Sequence, residues 1–103
     1  MPKSTVSVRI PQLVSIEAAI RIYYERIELS NSDIREIFGR IGSATIVKLK
    51  NKAREVMQEN NRPVWNAQLV NTEDAYTAWG LNISDLEKRL KKLRALERKE
   101  MSV

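Results

Sequence analysis

The sequence predicts a mainly α-helical fold: a three-helix core, a second helical section and minor β content. Three observations indicate this. Apolar residues recur at steps of three and four in three long stretches, which is the spacing of one helix face. Ser, Asn or Asp residues that can cap a helix precede the helical stretches, and Gly or Pro follows several of them. Val6, Val8 and Ile10 alternate before Pro11, which indicates a short strand.

The first helix is predicted over residues 15–28, with Ser15 as its cap. Its apolar residues step by three and four, so this face is expected to close the three-helix core. The predicted stripe consists of Leu13, Ile16, Ile20, Tyr23 and Ile27.

Two further helices are predicted around a short turn. Turn-forming residues at 30–33 precede a short helix that ends at Gly39, a residue suited to a left-handed helix end. Ser43 is expected to cap a third helix that runs to about Asn60, before Pro63. The predicted core residues of these two helices are Ile34, Ile37, Phe38, Ile46, Leu49, Ala53 and Val56.

The second half contains two more predicted helices. Residues 64–70 fit either a strand or an extended connection. Asn71 or Thr72 is expected to cap a short helix that ends at Trp79 and Gly80, and Asn82 or Ser84 opens the last helix. Core packing is favoured over base stacking for the two tryptophans, Trp65 and Trp79.

Composition bounds the function. The 103 residues suit a single domain, and 18 basic against 13 acidic residues give a net charge of +5. The chain lacks His and Cys, which excludes disulfides, Cys/His zinc sites and Cys/His nucleophilic catalysis. No Gly-rich phosphate loop or carboxylate cluster is evident. The interpretation is a soluble, cytoplasmic, basic protein that is not an enzyme and uses no metal or cofactor, with no membrane span.

The informative stretch is 32–53, in which a short helix, a Gly-containing turn and a longer helix follow one another. This stretch resembles the helix-turn-helix DNA-binding proteins, small bacterial or phage-type regulators. The resemblance rests on Gly39, Ile41, Ser43, Thr45, Ile46 and Leu49. The sequence departs from the family by one additional turn residue and by Arg35, where many members have Ala. The expected organisation is a single domain (1–103) with a helix-turn-helix core at 12–60, a connector with a short helix at 61–83 and a basic C-terminal helix at 84–100.

The resemblance implies that the third helix lies in the major groove of double-stranded DNA. The base-contact candidates, on the face opposite the core stripe, are Ser43, Ala44, Val47, Lys48 and Asn51. The phosphate-contact candidates on the flanks and near the turn are Arg35, Arg40, Thr45, Lys50, Lys52 and Arg54. Five basic residues and no acidic one lie between Gly39 and Arg54, which favours DNA binding over a merely solvated helix face.

The last helix has an apolar seam with basic flanks. The seam residues are Ile83, Leu86, Leu90 and Leu93. Two heptads are too few for a coiled coil alone, so this helix either packs on the domain or pairs with a second copy in a homodimer. The favoured function is a small transcriptional regulator. Two alternatives stay open: a protein–protein adaptor that uses the basic C-terminal helix, or a phage DNA-packaging or recombination accessory protein.

Overall fold

A computed structural model describes the backbone of residues 10–101 and the side chains to residue 97. Within that range it has five helices and one small antiparallel sheet, so the predicted mainly α fold with minor β content is confirmed. The elements are α1 (Ile16–Glu25), β1 (Glu28–Leu29), α2 (Asn31–Phe38), α3 (Ser43–Glu59), β2 (Val70–Asn71), α4 (Thr72–Ala78) and α5 (Ile83–Met101). The predicted strand at 5–10 lies outside the described residues except for Ile10, which belongs to no element.

One cluster of buried apolar side chains draws on all five helices. Two aromatic residues, Tyr76 in α4 and Trp79 directly after it, connect this part of the chain to two other helices by hydrogen bonds. The Tyr76 hydroxyl donates to the carbonyl of Ala19 in α1 at 2.5 Å, and the Trp79 indole N–H donates to the carbonyl of Leu49 in α3 at 2.9 Å. The predicted core role of Trp79 is therefore confirmed, and α4 holds α1 and α3 in one unit.

Four predicted helix starts are confirmed by their side-chain caps. Ser15 accepts from the Ala18 amide at 3.0 Å, and Asn71 accepts from the Asp74 amide at 3.0 Å. Ser30 and Asp33 form a reciprocal capping box at the start of α2. Asn82, rather than Ser84, accepts from the amide of Asp85 at 3.1 Å and so opens α5.

The predicted cap of α3 is wrong, because Ser43 is its first helical residue and Gly42 occupies the cap position. Gly42 has no side chain, so no cap hydrogen bond forms there. The core stripe of α3 also differs by one residue at its end. Ile46, Leu49 and Ala53 are buried as predicted, but Met57 is buried in place of Val56.

The predicted stripe of α1 is wrong at Ile27, which is 71% exposed. The helix ends at Glu25 because the chain turns extended at Arg26 and enters β1, so Ile27 leaves the helical phase. Thr72 fixes this exit, since its amide donates to the Ile27 carbonyl at 2.9 Å. The fully buried positions of α1 are Ala19 and Ile22.

The sheet pairs two segments that are remote in sequence, with Glu28 opposite Asn71 and Leu29 opposite Val70. Of residues 64–70, which fit either a strand or an extended connection, only Val70 enters the sheet. The preceding residues, 62–69, form a loop, which we call the brace loop, and it connects α3 to β2.

The C-terminal helix extends beyond the core. Every side chain from Lys91 to Glu97 is exposed, and the longest dimension of the protein is 54 Å against 29 and 24 Å. The radius of gyration of 15.4 Å exceeds the roughly 13 Å expected of a compact chain of this length. Within the described part of the chain, no helix is long and apolar enough to cross a membrane.

Candidate nucleic-acid interface

The structure brings the five predicted base-contact residues together on one exposed face at the start of α3. The opposite face carries Ile46, Leu49 and Ala53, all fully or almost fully buried. Burial of that stripe fixes which side of α3 faces solvent, because residues three and four apart share a helix face. The solvent face carries Ser43, Ala44, Val47, Lys48 and Asn51, and every one of them is exposed.

Four of the six predicted phosphate-contact residues are at least partly exposed and are not committed elsewhere among the described residues. Arg35 on α2 and Arg40 in the turn are exposed, and Thr45 and Lys52 on α3 are half-buried. The structure shows no hydrogen bond or ion pair of Arg35, Arg40 or Lys52 with any described residue. These cations therefore remain available for an external anion.

Lys50 does not lie on the predicted phosphate surface. Its side chain is buried, and Nζ donates to the Asn31 Oδ1 atom at 3.0 Å and to the Gln68 carbonyl at 2.5 Å. Burial lowers the pKa of the Lys50 ammonium, and the nearby charge of Arg54 lowers it further. Lys50 is thus a structural bridge from α3 to α2 and the brace loop.

Arg54 is also committed within the molecule rather than free for phosphate. Its Nη2 atom donates to the carbonyl of Ala67 at 2.6 Å, and its Nη1 atom donates to the Asn51 Oδ1 atom at 3.4 Å. The guanidinium therefore links the brace loop to the amide of a predicted base-contact residue. The spacing of Arg54 three residues after Asn51 permits this contact, but the carbonyl partner is not visible in the sequence.

The brace loop is a part of the surface that the sequence did not single out. Beside its bonds to Lys50 and Arg54, it is closed by the Gln68 amide, which donates to the Asn66 Oδ1 atom at 2.8 Å. The predicted packing of Trp65 is wrong, since this side chain is 69% exposed. The sequence gives one indication of this exposure: Trp65 lies in a segment rich in turn-forming residues, with no apolar helix stripe around it.

A buried carboxylate fixes the end of α3 against α4. Asp74 accepts from the Asn60 Nδ2 atom at 2.8 Å and from the Arg62 Nε atom at 2.9 Å. Burial alone raises the pKa of Asp74, but the hydrogen bonds from Arg62 and Asn60 outweigh it, so the pKa lies below its ordinary value. Arg62 is the first residue of the brace loop, so its bond to Asp74 fixes the start of the loop against α4.

The predicted seam of α5 is divided between two environments. Leu86 is 7% exposed within the core and Ile83 packs partly against it, so these two are not free to meet a partner. Leu90 is half-buried in a groove against α1, whereas Leu93 is 45% and Leu96 59% exposed. The apolar surface still available on α5 is therefore its outer half.

The chain was compared with protein families, curated proteins and solved structures. No protein-family model matches the chain, and comparison with curated proteins and with solved structures found no significant match. Among the described residues, no group of three or more Asp or Glu side chains could hold a metal ion.

Proposed function

We propose that this protein binds double-stranded DNA by placing the N-terminal half of α3 in the major groove. The observation that carries the proposal is the exposed face of Ser43, Ala44, Val47, Lys48 and Asn51 beside uncommitted cations. An α-helix fits the major groove, and phosphate attraction requires positive charge around it.

The side chains of this face suit base edges. The Asn51 amide can both accept from and donate to an adenine, and Lys48 can donate to guanine acceptors. The methyl groups of Ala44 and Val47 can contact a thymine methyl. The Val47 side chain is 54% exposed, which is unfavourable for an apolar group in water, and such a contact would remove that exposure. Contacts from Arg35, Arg40, Thr45 and Lys52 to phosphates would set the register of the helix on the duplex.

The proposed biological role is that of a small transcriptional regulator, with DNA packaging or recombination as the alternative use of the same interface. A regulator requires a preferred sequence. Selection of duplexes from a random pool would give the preferred sequence, and its occurrence at a promoter next to the gene would favour the regulator over the packaging or recombination role.

The decisive experiment is fluorescence-anisotropy titration of a mixed pool of short duplexes at two salt concentrations. The native protein is expected to bind, with an affinity that falls steeply as salt rises, because phosphate contacts release counterions. The double variant Lys48→Ala/Asn51→Ala should lose most of the binding. A control matched in charge is Lys88→Ala on α5, which removes one exposed positive charge from another helix. No binding of the native protein at low salt would reject the proposal and favour an adaptor that uses α5.

A homodimer is proposed through the outer half of α5. The supporting observation is the run Leu90, Leu93 and Leu96, which continues the core seam beyond the body of the protein. Sedimentation should give twice the monomer mass, and Leu93→Glu/Leu96→Glu should give the monomer mass with the same helical content. A monomer mass for the native protein at high concentration would reject the dimer.

A further inference from the structure

The two tryptophans of the chain have opposite environments. Trp79 is buried and its indole N–H is bonded to the Leu49 carbonyl. Trp65 is exposed, and so is Val64 beside it, at 65%. Two adjacent large apolar side chains in water are unfavourable, because covering apolar surface is a favourable process. Exposed aromatic side chains of this kind are enriched where a protein binds a partner.

The exposed pair stands on a loop that is held in place. Lys50 Nζ donates to the Gln68 carbonyl, and Arg54 Nη2 donates to the Ala67 carbonyl. The Leu69 amide donates to the Asn66 carbonyl at 3.1 Å, which closes the turn that follows Trp65. Trp65 is therefore presented by a braced backbone, which lowers the entropy that binding would cost.

The braces also locate the loop relative to the DNA-binding face. Val47, Lys50 and Arg54 lie three and four residues apart, so they form one stripe along α3. Val47 is exposed on the candidate interface, while Lys50 and Arg54 hold the loop. Arg54 further contacts Asn51, the next residue of the same face. The brace loop thus borders the edge of the proposed interface nearest Val47 and Asn51.

The composition and the position of the loop indicate the occupant. Between Asn60 and Thr72 the sequence has one charged residue, Arg62, and no acidic one. Asp74 and Glu73 lie against Arg62 at the start of the loop, whereas the residues from 63 to 71 carry no charge. An apolar ring on this uncharged segment suits the sugars of a DNA strand. Arg54 bonds both the loop and Asn51, so the strand in question is the one beside α3.

We propose that the brace loop is a second DNA-contact element, in which Trp65 packs against the sugars of the duplex strand that flanks the groove occupied by α3. This inference rests on the proposed function. The loop would lengthen the footprint of the protein on DNA and contribute affinity without base-specific hydrogen bonds.

The test combines duplex affinity with tryptophan fluorescence, using the mixed duplex pool as the probe. Trp65→Ala is expected to weaken binding about tenfold or more, while Trp65→Phe retains most of the affinity because it keeps an aromatic ring. Val64→Ala, the matched control beside it, should change affinity less. Equal thermal unfolding midpoints for all three variants would show that the fold is intact, as expected for exposed side chains.

Acrylamide quenching of tryptophan fluorescence shows whether bound DNA covers Trp65. Trp65→Phe leaves buried Trp79 as the sole tryptophan, so the difference from the native protein reports Trp65. Added duplex should protect Trp65 from acrylamide. If the native protein binds DNA, but Trp65→Ala binds equally well and Trp65 stays equally quenched, the loop proposal is overturned while the α3 proposal stands. If the native protein binds no duplex, both proposals fail.

Discussion

A Cβ atom on Gly39 would lie 2.8 Å from the Cγ1 atom of Val14. The two residues meet because the Val14 amide donates to the Ile37 carbonyl at 3.0 Å, which brings the segment before α1 against the end of α2. Gly39 also has a φ of +84°, a conformation that a residue with a side chain adopts only with strain.

Gly39→Ala should therefore destabilise the protein by about 1–3 kcal/mol, from the backbone conformation and the contact with Val14 together. Urea unfolding would measure the change. Gly42→Ser is the matched control three residues on, because Gly42 has a φ of −70° and its Cβ would meet no atom within 4 Å. That variant supplies the missing cap of α3 and should be stabilised by at most about 1 kcal/mol. Equal destabilisation of both variants would contradict this explanation.

Arg54 is expected to act on sequence preference more than on the salt dependence of DNA binding. Its guanidinium holds the Asn51 Oδ1 atom, so Arg54→Ala would leave the amide free to rotate. Affinity for a selected operator should fall toward that for mixed DNA, and the salt dependence should change little. Lys52→Ala should do the reverse and lower the salt slope by about one. A large loss of salt dependence in Arg54→Ala would show that Arg54 contacts phosphate instead.

Lys50 is expected to contribute to stability and not to phosphate contact. Lys50→Ala removes two hydrogen bonds and the buried part of the side chain, and should lower the free energy of unfolding by about 1–2 kcal/mol. Lys48→Ala, on the exposed face, should leave stability nearly unchanged. Chemical denaturation of the two variants distinguishes them, and equal stability would contradict the bridging role of Lys50.

The lowered pKa of Asp74 predicts that the free energy of unfolding falls in acid. Its pKa is lower folded than unfolded, so its contribution is complete above the unfolded pKa and is lost as pH falls through the folded pKa. Asp74→Asn should be less stable than the native protein by about 2 kcal/mol at neutral pH. That difference should begin to shrink as pH falls below about 4, where the unfolded carboxyl starts to bind a proton, and should vanish only at the lower pH where the folded carboxylate is protonated as well.

Unfolding curves between neutral and acidic pH would measure the effect of Asp74. Glu73→Gln provides the control, because its carboxylate lies 3.7 Å from Arg62 but is 69% exposed. An exposed pair of this kind contributes less than about 1 kcal/mol. A pH-independent difference between Asp74→Asn and the native protein would contradict the assignment.

The sequence by itself determined the helices and most of their ends. Spacing of three and four located the core side of α3, and the caps at Ser15 and Asn71 were readable because each cap bonds an amide three residues away. The exposed face of α3 followed from the same periodicity. These features depend on residues that are neighbours along the chain, so local pattern is sufficient to predict them.

Only the tertiary structure decided which polar and apolar side chains are available. Lys50 and Lys52 look equivalent in the sequence, but Lys50 is bound to a carbonyl 18 residues away. Arg54 is similarly held by Ala67, and Leu86 is removed from the α5 seam by the core, whereas Trp65 is left exposed. These outcomes depend on where the brace loop and α5 come to lie against α3 and α1. Such contacts join residues remote in sequence, and no local spacing encodes them.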